Sequence, residues 1–289
     1  MTDASTISTA ASARRFCVAG LEVEVKARRA DDLDGLGAGY EHYPSAGGRP
    51  GLILDIERVP GFARDRVRGP AYPAFEAKPI GPGRVALARF DAEGELALPD
   101  RDDEPVRARF RMDESPNTLE AAVRIGMCVA LPRRGGLILH ASALAWADRA
   151  AIFAGHSGAG KSTIAAMLCA HRPALEKLSD ELLVVAPSGP DGGWEAHVAP
   201  FLGSRGLPHG TRREVAGVHF LVQAGHHRRI RLARPEAVRE LMRHILVYVT
   251  EPATAARVLA AAGGLMQAAP GYRLEFAKDP GVARVLGIT

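Results

Sequence analysis

One short segment, residues 155–163, has the residue types and spacing of a phosphate-binding loop. Its sequence GHSGAGKST matches the pattern G-x-x-x-x-G-K-[ST], with Lys161 and Ser162 at the last two fixed positions. Glycines let successive backbone N–H groups point at phosphate oxygens, and the N-terminus of a following helix adds partial positive charge. Lys161 would place a mobile cation on the β- and γ-phosphates, and the Ser162 hydroxyl is the expected Mg²⁺ ligand. The pattern predicts a site for ATP, or a related nucleoside triphosphate, with Mg²⁺. The predicted nucleotide-binding residues are Gly155, His156, Ser157, Gly158, Ala159, Gly160, Lys161, Ser162 and Thr163.

Two adjacent acids, Asp180 and Glu181, follow this loop in the sequence and precede the apolar run LLVVA (182–186). The loop alone does not distinguish an NTPase, a kinase and a nucleotide switch, so these acids bear on the choice. One carboxylate at the start of a strand can bind Mg²⁺, and the other can accept the proton of an incoming hydroxyl. A polar turn that merely introduces the strand is the alternative explanation.

Three segments occur in an order and spacing similar to one known family. They read GLILHASAL (136–144), AGHSGAGKST (154–163) and LSDELLVV (178–185). Over about residues 117–289 the chain resembles the catalytic domain of HPr kinase/phosphorylase and of related kinases, including those that phosphorylate lasso-peptide precursors and others that act on small hydroxyl compounds. The resemblance implies an α/β fold of the HPr kinase and phosphoenolpyruvate carboxykinase type. It also implies ATP- and Mg²⁺-dependent transfer of the γ-phosphoryl group to a hydroxyl of a peptide, a protein or a small molecule.

The resemblance also assigns roles to individual residues. His140 matches a family histidine near the γ-phosphate, and Asp180 matches the acid that acts as base toward the acceptor hydroxyl. Glu181 stands where the family has a second aspartate that helps hold Mg²⁺, so Ser162 and Glu181 become the expected metal ligands. Lys161 would neutralise charge on the transferred group. For His140, a histidine satisfied within an apolar strand is the alternative.

The acceptor is where the chain departs from the family pattern. True HPr kinases carry a glycine-rich signature in the region that here reads SRGLPHGTRREVAGVHFL (204–221), and only Arg205-Gly206 is retained. The resemblance therefore does not extend to HPr as acceptor or to the reverse phosphorylase reaction. Arg205, Arg212 and Arg213 follow one another in this region and could clamp a phosphate or an acidic substrate. Exposed loop arginines with no such role are the alternative.

Four histidines in the same part of the chain raise the question of a metal site. They are His209, His219, His226 and His227. Their spacing matches no usual ligand set and no cysteine lies nearby, so surface or turn positions are expected.

Composition limits the remaining classes of function. The 289 residues are 47% hydrophobic and 24% charged, as in an ordinary globular protein, and no apolar stretch is long enough for a membrane span or placed as in a signal peptide. Three widely spaced cysteines without a CxxC pair fit reduced thiols and predict a cytoplasmic protein. A net charge of +4 with interleaved acids does not indicate nucleic-acid binding. HPr kinases form hexamers, which leaves a homo-oligomer open.

The elements that must position these residues fall into two halves. Residues 1–15 are predicted to be disordered, and 16–115 to form a β-rich N-terminal domain with strands at 16–27, 51–57, 84–90, 95–98 and 106–112. A helix from Asn117 or Thr118 to about Leu131 is predicted to open the catalytic domain, 116–289. A rival interpretation is an NTPase or nucleotide switch that acts through a protein partner bound by the N-terminal half.

The second half alternates predicted strands and helices. A hairpin (136–155, turning at Ala147-Asp148) leads into the glycine-rich loop and a helix (161–172) that ends at Pro173. Strands are expected at 181–187, 218–224 and 272–276. Helices are expected after Pro235, Pro252 and Pro280.

Overall fold

The computed structural model describes residues 12–37, 39–62, 75–189, 192–201 and 208–288. The chain is mixed α/β and its contacts divide it into two compact units. The N-terminal unit runs to Ala130 and the C-terminal unit starts at Leu131, except that Val18–Gly20 group with the latter. None of the helices in the described ranges is long and apolar enough to cross a membrane.

The N-terminal unit is built on one seven-stranded sheet with the spatial order β1-β2-β3-β7-β6-β5-β4. Strands β2, β3 and β7 run parallel, and β4, β5, β6 and β7 pair antiparallel in turn. The bounds of the strands and of the long helix are β1 Ser12–Val18, β2 Leu21–Ala27, β3 Leu52–Arg58, β4 Glu76–Gly81, β5 Arg84–Arg89, β6 Ala92–Ala97, β7 Val106–Met112 and α1 Pro116–Ala130. Short 3₁₀ helices span Asp31–Leu33 and Tyr40–His42, and a third, Leu131–Arg134, lies at the start of the C-terminal unit.

Helix α1 packs on the N-terminal sheet. It contacts β7 and β3, and a Cβ added at Gly126 would come within 2.9 Å of Leu52. The helix therefore belongs to the N-terminal unit. The sequence predicts a domain boundary between residues 115 and 116, whereas the contacts divide the chain after Ala130. The difference is the length of α1, because the apolar face of this helix packs in the first core and not in the second.

The C-terminal unit is built on an eight-stranded sheet with the order β10-β8-β11-β12-β13-β15-β14, and β9 lies between β8 and β13. Strands β9, β13 and β15 are parallel, and β8 pairs antiparallel with β9, β10 and β11. The bounds are β8 Leu137–Trp146, β9 Arg149–Ala154, α2 Lys161–His171, β10 Glu176–Ser179, β11 Leu182–Pro187, β12 Trp194–Val198, β13 Arg212–Gln223, β14 Arg228–Arg231, α3 Arg234–Met242, α4 Pro252–Ala268, β15 Gly271–Phe276 and α5 Val282–Leu286.

Side chains of this sheet alternate between two hydrophobic layers, as strand geometry requires. Leu139 of β8 packs in the layer that contains Leu265 of α4 and residues of α3. Leu144 of the same strand packs in the layer that contains Ile164 of α2 and residues of α5. The sheet is thus covered by α3 and α4 on one face and by α2 and α5 on the other.

Most predicted elements appear with small changes at their ends, and the hairpin turns at Ala147-Asp148 as expected. The expected strand 16–27 is instead two strands, because Ala19 and Gly20 adopt positive φ angles of 50° and 76° and turn the chain. Ser12–Arg15 belong to β1, so this strand begins inside the segment predicted to be disordered, and residues 1–11 lie outside the described ranges. Strands β4, β10, β12 and β14 were not predicted, since they are short or rich in Gly, Pro and charged residues.

The alternation along β7 gives a direct test of the N-terminal core. Phe110 is completely buried, whereas Arg107 on the opposite face is exposed. We expect Phe110→Ala to lower the free energy of unfolding by about 3–5 kcal/mol, because it leaves a cavity in the core. Arg107→Ala should change it by no more than about 0.5 kcal/mol. Equilibrium urea denaturation measures both values, and equal losses in the two variants would contradict the described burial pattern.

Candidate functional site

The glycine-rich loop (residues 155–163) connects the end of β9 to the first turn of α2. Gly158 and Gly160 have φ angles of 80° and 100°, in the left-handed region that favours glycine. A Cβ at Gly160 would also lie 2.8 Å from Cζ of Phe276. Inside the loop, the amide of Ala159 donates to the carbonyl of His156 at 3.1 Å. The backbone path therefore favours glycine at both positions, and close packing also requires it at Gly160, the second fixed glycine of the pattern.

Lys161 is a buried cation at the start of α2, with 8% of its surface exposed. Its Nζ donates to the carbonyl oxygens of Gly155 at 2.9 Å and His156 at 3.3 Å. Among the described residues no carboxylate pairs with it, and burial lowers the pKa of its ammonium group. The Ser142 hydroxyl donates to the Lys161 carbonyl at 3.0 Å and so fastens the start of α2 to β8. The ammonium is thus held over the loop by neutral dipoles and can transfer its hydrogen bonds to an incoming anion.

The outer part of the loop is accessible. His156, Ser157, Ser162 and Thr163 are exposed, and the last two lie in the first helical turn. The side-chain amide of Gln223, at the end of β13, donates to the Gly158 carbonyl at 2.7 Å. Strand β13, which runs parallel to β9, therefore holds the loop in place through Gln223. The hydroxyl-bearing residues of the loop remain exposed to solvent.

His140 lies on β8 with an exposed side chain beside the loop. Its backbone amide donates to the carbonyl of His244 at 2.8 Å, and it stands opposite Leu182 of β11. Partial burial lowers the pKa of His140, the nearby charge of Lys161 lowers it further, and Glu181 opposes both effects. His140 consequently lies within electrostatic reach of both Lys161 and Glu181.

The acidic pair occupies the bend between β10 and β11. The Ala141 amide donates to the Glu181 carbonyl at 3.0 Å, which places this bend beside β8. The Glu181 side chain is exposed, whereas Asp180 is half-buried and its Oδ2 lies 3.0 Å from Nζ of Lys177. The ion pair with Lys177 was not expected from the sequence. Nowhere in the described ranges do three or more His, Cys, Asp or Glu side chains form a group that could hold a metal ion.

A cavity of about 1190 Å³ opens over the loop. One wall is formed by His140 and Gly155–Gly158, and the facing wall comes from α3, the segment after it and β15. The charged residues of the facing wall are Glu236, Glu240, Arg243, His244 and Arg273. Ligand sites usually occupy a few hundred to about a thousand Å³, so this cavity has room for a nucleotide and more.

His244 is a site residue that the sequence did not reveal. Burial lowers its pKa, the charges of Lys161, His140 and Arg243 act in the same direction, and Glu240 opposes them. Its ring stacks on Phe220 at 6.1 Å. No local sequence motif surrounds His244, so its place in the site is evident only from its tertiary contact with β8. Ser142 could have been predicted from the sequence, because it lies two residues from His140 and therefore on the same face of the strand.

Two of the three arginines proposed to bind substrate, Arg212 and Arg213, do not line this cavity. Arg205 lies outside the described residues. Arg212 and Arg213 begin β13, where they pair with His197 and Ala196 of β12 rather than forming a loop. They lie eleven and ten residues before the end of β13 near the glycine-rich loop, which is about 35 Å along a strand. The structure brings together the loop, His140, Glu181 and the bend with Asp180, but not this pair of arginines.

Comparison with known proteins adds no family. No protein-family model matches the chain, and no curated protein matches it.

The shared environment of His140 can be measured. NMR titration of the histidine ring protons should give His140 a pKa below the ordinary value of 6.5. Lys161→Ala should raise this pKa because a positive charge is removed, and Glu181→Gln should lower it because a negative charge is removed. Lys278→Ala removes an exposed lysine and serves as the control that leaves it unchanged. A pKa of His140 that does not respond to either charge removal would contradict the assembled site.

Proposed function

We propose that the C-terminal unit is a kinase that binds ATP with Mg²⁺ and transfers the γ-phosphoryl group to a hydroxyl of a peptide, protein or small molecule. The observation that carries the proposal is the environment of the Lys161 ammonium group. Its ammonium is buried on loop carbonyls without a carboxylate partner among the described residues, at the N-terminus of a helix. A buried charge without a counterion is costly, and a phosphate group is the anion that this loop geometry suits.

The assembled neighbours favour phosphoryl transfer over binding alone. The order of the hairpin strand with His140, the glycine-rich loop and the Asp180-Glu181 bend resembles HPr-kinase-related enzymes, and the proposal extends to a fold of that type. His140 interacts electrostatically with Lys161 of the loop and with Glu181 of the bend. Phosphoryl transfer depends mainly on positioning and on neutralising charge, and these residues supply both.

The proposed roles are those that the resemblance to HPr-kinase-related enzymes implies for these residues. Lys161 contacts the β- and γ-phosphates, and the exposed hydroxyl of Ser162 together with Glu181 would hold Mg²⁺. When bound, the metal ion would neutralise charge on the phosphate oxygens. His140 stabilises the γ-phosphate from β8. Asp180 accepts the proton of the acceptor hydroxyl while the hydroxyl oxygen forms its bond to phosphorus and the bond to the leaving ADP oxygen breaks.

The cavity gives the acceptor a place. Its wall opposite the loop carries the ion pair Glu236–Arg273, at 3.2 Å, and the pair Glu240–Arg243, at 3.0 Å. His244 belongs to the same wall, and its backbone carbonyl accepts a hydrogen bond from the His140 amide. Its neutral ring can donate or accept a further hydrogen bond. Paired charges of both signs suit a polar acceptor that carries its own hydrogen-bonding groups rather than an apolar one.

The first test is incubation of the purified protein with γ-labelled ATP, Mg²⁺ and a host-cell extract, followed by separation by size. We expect label in a peptide, protein or small-molecule fraction. Lys161→Ala should abolish this labelling, and Lys278→Ala should retain it. Label found only as free phosphate, with no labelled acceptor in any fraction, would favour an NTPase or nucleotide switch that acts through a protein partner.

A second variant isolates the proposed base. Asp180→Asn should lower phosphoryl transfer by about 100-fold or more, because general-base catalysis contributes factors of that size, while nucleotide binding stays unchanged. Isothermal titration with ATP and Mg²⁺ measures the binding, and the labelled-product assay measures transfer. Asp148→Asn, in the exposed hairpin turn, is the matched control. Near-normal transfer by Asp180→Asn would remove the base assignment.

A further inference from the structure

A second cavity in the C-terminal unit, of about 390 Å³, lies away from the glycine-rich loop. Its lining includes Trp146 and Arg149, which flank the β8–β9 turn, and Arg229 and Tyr272 from the neighbouring strands β14 and β15. His219 of β13 also lines it, although the histidine spacing predicted this residue at the surface or in a turn. That expectation was wrong, because His219 is 3% exposed and lies within a central strand.

His219 belongs to a stack of side chains that crosses four strands. Its ring stacks between Phe153, at 5.4 Å, and Tyr272, at 5.2 Å. The guanidinium of Arg229 lies over the Tyr272 ring at 3.6 Å. The stack fixes the histidine ring and leaves its nitrogens without partners. Neither nitrogen forms a hydrogen bond within the described structure, although the backbone of Ile152 is near enough to influence the ring.

Burial lowers the pKa of His219 to about 3, and the charge of Arg229 contributes to this shift. The ring is therefore neutral near pH 7 and presents one donor and one acceptor. A buried polar group without a hydrogen bond is destabilising, and such groups in folded proteins commonly mark a bound ligand or a water.

Both arginines of this cavity are available for an anion. Within the described part of the chain, neither Arg149 nor Arg229 forms an ion pair with a carboxylate, and the one hydrogen bond of Arg229 is to the Leu286 carbonyl at 3.3 Å. Guanidinium groups bind phosphate and carboxylate oxygens through paired N–H donors. Two cations and the donor of a fixed neutral histidine around one cavity make an oxyanion site.

We infer that this cavity binds a small molecule that carries a phosphate or carboxylate group, held by Arg149, Arg229 and the ring of His219. The cavity is larger than a bare ion needs, and Trp146 offers an apolar surface for the rest of the molecule. The inference does not depend on phosphoryl transfer at the glycine-rich loop.

The experiment uses the full chain with Lys161→Ala, so that the glycine-rich loop contributes as little as possible to phosphate binding. Inorganic phosphate, phenyl phosphate and benzoate are titrated by calorimetry and by tryptophan fluorescence. A change in fluorescence is assigned to Trp146, because Trp194 packs on the other face of the sheet. Binding of at least one probe is expected. Stronger binding of phenyl phosphate or of benzoate identifies the acidic group that the site prefers.

Three further substitutions decide whether the binding belongs to this cavity. Arg149→Gln and His219→Phe should each weaken binding at least about tenfold, because each removes a hydrogen-bond donor, and the phenylalanine preserves the stack. Arg228→Gln, an exposed neighbour that does not line the cavity, should leave binding unchanged. No binding of any probe, or binding that is insensitive to both Arg149→Gln and His219→Phe, would overturn the inference.

Discussion

Lys161 is the cation around which the C-terminal unit is arranged, and backbone carbonyls rather than a carboxylate hold it. Its ammonium bonds to the Gly155 and His156 oxygens, which requires the loop to turn back on itself through left-handed glycines. Burial makes this arrangement costly in the free protein, because the charge loses its water without gaining a counterion. Packing of Ile164 of α2 on the sheet, and of Phe276 against Gly160, helps hold the start of α2 in place. The loop, α2 and Phe276 together fix the position of this charge, which the proposed function assigns to phosphate binding.

Strand β8 connects that charge to the other groups of the site. One face of the strand carries Ser142, which fastens the start of α2, and His140, which stands beside the loop. The backbone of β8 pairs with β11, and its Ala141 amide donates to the Glu181 carbonyl. The amide of His140 donates to the carbonyl of His244. Groups that are distant in sequence therefore depend on the register of a single strand. A shift by one residue would turn His140 and Ser142 to the opposite layer.

The same sheet carries both of the proposed anion sites. At the ends of the parallel strands β9 and β13, the glycine-rich loop offers backbone dipoles and one lysine, and the side-chain amide of Gln223 binds the loop at Gly158. Around the β8–β9 turn, the second cavity offers guanidinium groups and the fixed ring of His219. Backbone dipoles and a flexible ammonium suit a chain of phosphates that must be released again. Planar guanidinium groups suit one oxyanion held in a defined orientation.

The sequence by itself determined the parts of this protein that depend on neighbouring residues. Period-two alternation in VRARFRM located β7, the hairpin and its turn were evident, and the spacing of Gly155 to Ser162 specified a loop before a helix. It also pointed to His140 and the Asp180-Glu181 bend, although their proximity rested on a resemblance. Only the tertiary structure decided that α1 completes the first core, that Arg212 and Arg213 extend a strand, and that His219 is buried. It alone placed His244 beside His140 and Lys177 beside Asp180. Local patterns record the conformation of a segment, whereas burial and charge pairing depend on which strands lie next to one another, and that order arises from long-range packing.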